Sequence, residues 1–249
     1  MRIGLATLFI AALGATVTLA TGIAGAGQTG CGSGENGSTG YSYAGRQATV
    51  TGHGVRARIT TLRAPTVGAG HVAGWVGVGG PRQGANGEDA WIQVGIAGLP
   101  NTAPMLYAEI MEPGHDRVFI PIEEGLLDGA TRNVAVLEMA KAPNHWRVWV
   151  GGQPVTKPIH LPGSSGRWEP IATAESWNGG AATCNGFAFR FENVGVAGAR
   201  GGSWHAFRPG YTFLDRGYEL HALTPEPGAE RTLSTRGPRP YAFDALSTA

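Results

Sequence analysis

Two polar residues sit where strands otherwise carry apolar ones. Gln93 lies within Trp91-Ile92-Gln93-Val94-Gly95-Ile96. The alternation of a strand puts Ile92, Val94 and Ile96 on one face and Gln93 on the other with Trp91 and Gly95. An amide between an indole and a glycine suits a partly wet face, and the glycine leaves room for a ligand backbone. The plain alternative is a solvent-facing Gln on an ordinary sheet. Glu175 ends the run Ile171-Ala172-Thr173-Ala174-Glu175-Ser176-Trp177, just before Asn178-Gly179-Gly180. Desolvation beside Trp177 would raise the proton affinity of that carboxylate; its ordinary alternative is a turn carboxylate.

Other site signatures are missing. The sequence has no Walker A loop, no G-x-S-x-G elbow and no H-E-x-x-H. Its 7 histidines are scattered without ligand spacing, so neither a metal nor another cofactor is expected. The formal net charge is +1, and no basic cluster exceeds two residues. Nucleic acid and polybasic membrane attachment are therefore not expected partners.

The elements that must position Gln93 and Glu175 read as strands. Glycine accounts for 41 of 249 residues and only 15% are charged, against averages of about 7% and 25%. Period-two segments recur at 47–51, 55–62, 71–78, 90–96, 105–111, 117–122, 145–150, 153–159, 168–174 and 187–194, separated by Gly, Pro or Asn breaks. Arg132 to Met139 has helical propensity, but its place between strand signals favours a strand. Gly151-Gly152 reads as a hairpin turn. About ten short strands without a helical stripe predict an all-β fold, a two-sheet antiparallel sandwich or jelly roll. Trp146, Trp149, Trp168 and Trp204 are expected in its core.

The first 26 residues have a different character. Arg2 is followed by an apolar run and by Ala24-Gly25-Ala26, the pattern of a secretory signal peptide cleaved to leave residues 27–249. The alternatives are a membrane anchor through residues 3–20 and a lipidated Cys31. In an exported chain, Cys31 and Cys184 suggest one disulfide. Residues 27–45 read as a flexible arm, 46–205 as the sandwich domain, and 206–249 as a proline-rich extension, mobile from 225. The expected oligomeric state is a monomer.

Four segments occur in a telling order: Trp75-Val76-Gly77-Val78-Gly79-Gly80, Trp91-Ile92-Gln93-Val94-Gly95, Thr173-Ala174-Glu175-Ser176-Trp177, and Phe187-Ala188-Phe189-Arg190-Phe191-Glu192-Asn193. Gln93 and Glu175 are 82 positions apart. Tyr107-Ala108-Glu109 resembles a further strand with an acidic residue. Over about residues 40–198 the chain thus resembles the glutamic peptidases, or eqolisins. The resemblance implies a concanavalin A-like double sandwich with Gln93 and Glu175 as catalytic residues on a concave face. It also implies Trp75, Trp91, Glu109 and Trp177 near a peptide or protein substrate. The implied activity is acid-favoured endopeptidase action in which Glu175 is the general base and Gln93 its amide partner. Two departures stand out: Gly79 replaces a frequent Asp, and Ile110-Met111 replace aromatics.

Two other readings remain open on the residues alone. A sandwich of this kind also serves as a noncatalytic binding module for cell-wall glycan or peptide. A glycan hydrolase would need two carboxylates about 5–9.5 Å apart. Glu109 with Glu175 is the available pair, although no E-x-D-x-E strand is present.

Overall fold

Alternation of small or branched apolar residues with larger polar ones runs through the chain, and each such segment becomes a strand. The computed structural model describes residues 40–178, 185–224 and 240–247. The first strands are β1 (Tyr41–Ala48), β2 (Gly54–Thr66), β3 (His71–Gly80), β4 (Ala90–Gly98), β5 (Met105–Met111) and β6 (Val118–Glu123). β7 (Thr131–Glu138), β8 (His145–Val150), β9 (Gln153–Pro154), β10 (Ile159–His160) and β11 (Ile171–Trp177) follow. The last are β12 (Gly186–Ala199), β13 (Gly202–Ala206), β14 (Pro209–Leu214), β15 (Tyr218–Ala222) and β16 (Tyr241–Ser247).

They form two antiparallel sheets. The first has seven strands in the order β14-β1-β11-β3-β4-β5-β6. The second has nine, in the order β10-β8-β7-β2-β12-β16-β15, with β13 on β12 and β9 on β8. No helix occurs among the described residues, so none there is long and apolar enough to cross a membrane.

One face of each sheet meets the other. Val72, Val76 and Val78 of β3 and Ile92, Val94 and Ile96 of β4 pack into one core with Val55 and Ile59 of β2 and Val134 and Val136 of β7. Phe187, Phe189 and Phe191 of β12 join them. Gly74 lets the sheets approach: a Cβ there would stand 2.6 Å from the Phe189 ring. Trp146 is fully buried, stacks on Trp168 at 6.1 Å and donates to Ser164 Oγ at 2.7 Å.

Local chemistry explains the turns and irregularities. Gly151 and Gly152 both have positive φ, 58° and 82°, and close the β8–β9 hairpin as the dipeptide suggests. Arg132–Glu138 is a strand, pinned by the buried Glu138 carboxylate, which accepts from Asn144 N at 2.7 Å and pairs with His53 Nδ1 at 2.6 Å. Asn193 sits at φ 53°, where β12 slips register against both β2 and β16. Asparagine tolerates that left-handed conformation, so its place in the late motif is that of a bulge residue.

Three expectations shift. Residues 41–45, placed in the flexible arm, belong to β1 between β11 and β14. The region from 206 onward supplies β14 to the first sheet and β15 and β16 to the second, so 209–214, 218–222 and 241–247 are part of the sandwich. Their proline and glycine neighbours mask the alternation. Trp149 and Trp204, expected in the core, are only partly buried and lie on the outside. The signal segment, the Cys31–Cys184 disulfide and residues 225–239 fall outside the described residues.

Candidate active site

The face of the first sheet turned away from the core carries every residue singled out for chemistry. The registers define its rows. Gln93 stands opposite Gly77 on one side and Glu109 on the other. In the next row Gly95 stands opposite Trp75 and Tyr107, and Trp75 opposite Thr173. Beyond it, Ala73 stands opposite Glu175, and Glu175 opposite Tyr43. His71 and Trp177 close that end, while Trp91 lies beyond Gln93 at the other.

These side chains cover one another, so an outward face becomes a largely dry one. Gln93 and Glu175 are each only 7% exposed, and Trp75 and Tyr107 are buried with Ala73 and Ala97 in a small apolar cluster. Gly95 does not leave open space for a ligand. A Cβ there would lie 2.1 Å from Gly74 O and 2.6 Å from Trp75 Cβ, so the glycine admits Trp75 instead. The missing Asp of the W-V-G motif also has a local reason. Gly79 has φ 83°, and a Cβ there would meet Ala90 O at 2.2 Å.

Gln93 and Glu175 do not bond each other. Gln93 Nε2 donates to the Tyr107 hydroxyl at 3.1 Å. Glu175 Oε1 pairs with His71 Nε2 at 3.4 Å. Tyr107 stands in the row between Gln93 and Glu175: burial, then the charges of Glu175 and Glu109, push its phenol well above the usual range, against the Gln93 bond. At the Gln93 end, Trp91 Nε1 donates to Glu109 Oε1 at 3.0 Å, and Arg117 lies 3.9 Å from Glu109 Oε2. Burial raises the Glu109 carboxyl; Arg117 opposes this and Glu175 adds to it. Arg117 also donates to the Tyr41 hydroxyl at 3.5 Å. Burial pulls the Arg117 guanidinium down, but Tyr41 and Glu109 outweigh it and leave it raised.

The registers put Glu109 and Glu175 on the same face, with the row of Trp75, Gly95 and Tyr107 between them. The indole Nε1 of Trp75 is buried without a partner. Buried donors are rarely left so, and this one is available to an acceptor brought by a ligand. His71 and Trp177 pack against Tyr41, with centroids 5.9 and 6.0 Å away. The arrangement thus offers two carboxylates, one neutral amide, a phenol and an indole N–H in a water-poor setting. No group of three or more His, Cys, Asp or Glu suited to a metal occurs among the described residues.

Trp75, Trp91, Gln93, Glu109, Glu175 and Trp177 therefore share one face. Sequence reasoning missed His71, Tyr41 and Arg117, and quoted Tyr107 without giving it a role. Parity could have found two of them: His71 and Trp75 share odd positions on β3, as Tyr107 and Glu109 do on β5.

The class that is defined here is one of fold, a two-sheet antiparallel sandwich. Two solved structures of scytalido-glutamic peptidase share this fold. One, with a peptide-based transition-state analogue, superposes with a TM-score of 0.52 at 14% identity, covering 83% of this chain and 98% of that one. The other, with a transition-state analogue inhibitor, gives 0.51 at 13% identity over 83% and 98%. SCP-B, an eqolisin solved with the tripeptide Ala-Ile-His, aligns at a lower TM-score of 0.45 and 13% identity over 83% and 97%. The chain has the eqolisin fold. No family model matches the sequence, and no curated protein matches it.

Proposed function

We propose that the protein is a divergent glutamic endopeptidase, exported from the cell and acting on peptide or protein substrates. One observation carries the reading: on a fold shared with glutamic peptidases, Gln93 and Glu175 lie buried on the same outer face, one row of Trp75, Gly95 and Tyr107 apart.

In this mechanism a water enters with the substrate between the two side chains. The Glu175 carboxylate takes a proton from it, and the water oxygen attacks the scissile carbonyl carbon. The Gln93 amide N–H turns from Tyr107 to the developing oxyanion, a contribution of about 3 kcal/mol. An amide suits the task because it both donates and accepts without titrating. The protonated Glu175 then delivers its proton to the leaving nitrogen, the C–N bond breaks, and an acid and an amine result. His71 holds the other side of Glu175, and Trp75 offers its free N–H to a substrate carbonyl. Trp91 and Trp177 flank the ends of the bound peptide, and Glu109, its carboxyl raised by burial, faces it.

The test is digestion of a peptide library by purified residues 27–249 from about pH 2 to pH 7, read by mass spectrometry. Cleavage at acidic pH is expected. A folded sample that cleaves nothing at any pH would overturn the proposal and leave a binding module.

A further inference from the structure

The outer face of the second sheet, on the far side of the sandwich from Gln93 and Glu175, holds a groove of about 770 Å³. That volume lies within the range of small-molecule sites. Its floor is built from small residues. Arg56 of β2 stands between Ala135 of β7 and Gly195 of β12. A Cβ on Gly195 would come within 3.2 Å of Arg56 Nε, so the glycine lets the arginine lie along the sheet. Trp149, opposite Ala135, forms one side; Trp204 of β13 forms the other, with the Arg56 guanidinium 4.8 Å from its ring centroid.

The charge of the groove is one-sided. Arg56, Arg58 and Arg147 line it. Arg58 has a loose partner in Glu192 at 3.8 Å, outside the lining, and the carboxylate of the lining, Glu138, is fully buried and committed to His53 and Asn144. Arg56 and Arg147 have no ion-pair partner among the described residues. Arg147 Nε and Trp149 Nε1, from the same face of β8, are buried donors without acceptors. Asn133 and Asn193 add amides at the margin.

We propose that this groove is a second binding site, independent of the peptidase site, for an acidic oligosaccharide whose pyranose rings carry carboxylates. Indole faces pack against the C–H faces of sugar rings. Guanidinium forks match carboxylates in bidentate geometry, and the asparagines match hydroxyls. Three arginines, one of them shared with Glu192 beside the groove, suit isolated carboxylates better than the unbroken phosphate track of a nucleic acid. The second sheet would hold the protein on an acidic glycan while the first sheet faces peptide.

The experiment is calorimetric titration of the folded chain with oligogalacturonate, beside a neutral cello-oligosaccharide, polyglutamate and single-stranded oligothymidylate. Arg56→Gln, Arg147→Gln and Trp204→Ala are compared with wild type, each checked for an unchanged unfolding transition. Saturable binding of the uronate alone is expected. Each groove variant should weaken it about tenfold to a hundredfold, while Glu175→Gln leaves it unchanged. No binding by folded wild type would overturn the proposal. So would equal binding of polyglutamate or oligothymidylate, or uronate binding that the folded Arg147→Gln and Trp204→Ala proteins retain in full.

Discussion

Tyr107 is a hydroxyl held in a dry place, 2% exposed, with Gln93 donating to it and two carboxylates raising its phenol. Tyr107→Phe should leave the ring packed and remove the group that sets the Gln93 amide. The expected result is a loss of about tenfold in kcat with little change in KM, measured on any cleaved peptide; an unchanged kcat would assign Tyr107 to packing alone. Gln93→Ala removes the oxyanion donor itself and should lose about 10²–10³ in kcat. Glu109 makes a prediction of opposite kind, about stability. Burial raises its carboxyl above 4.5, so folding favours the protonated form. That contribution is fully present below the unfolded value and is lost as pH rises through the folded one. Glu109→Gln should therefore gain in Tm relative to wild type between about pH 4 and pH 7, as thermal unfolding at several pH values would read. Two curves that stay parallel would contradict it. Gln93 and Glu175 were legible in sequence because each interrupts an apolar run. Tyr107 was not: an aromatic in a strand reads as core, and only its register with Gly95 and Trp75 brings its hydroxyl to the amide.

At the scale of elements, the two sheets are set by a contact between a glycine and a ring. Gly74→Ala would drive a Cβ to 2.6 Å from Phe189, from one sheet to the other. The expected cost is about 1–3 kcal/mol, and Phe189→Leu in the same chain should recover part of it, as denaturant unfolding would show. A double variant no more stable than Gly74→Ala would mean the strain is relieved elsewhere. The strands from β3 to β8 were legible because their alternation is unbroken and ends at Gly, Pro or Asn. β14 to β16 were hidden by short length, by neighbouring prolines and by burial that comes only from pairing with β1 and β12. Pro65 reads as a strand end, yet β2 runs on to Thr66, because the register against β12 slips between Arg63 and Thr66. Trp149 and Trp204 were misplaced for a related reason: a tryptophan signals burial, but only strand parity tells which face it covers.

The whole molecule is a sandwich with two differently equipped outer faces. One gathers carboxylates, an amide and a phenol over the first sheet; the other gathers arginines and indoles over the second. Neither face depends on net charge, which is close to zero at +1. This arrangement fits a protein that cleaves peptide at one face and holds an acidic polymer at the other. The role of Glu175 as general base is decided by kcat/KM on a cleaved peptide at acidic pH for wild type and Glu175→Gln, with unfolding curves showing both folded. Glu175→Gln keeps the shape of the side chain and removes the base. A loss of at least about 10³-fold with the fold intact is expected. A folded Glu175→Gln protein that cleaves at close to the wild-type rate would contradict it.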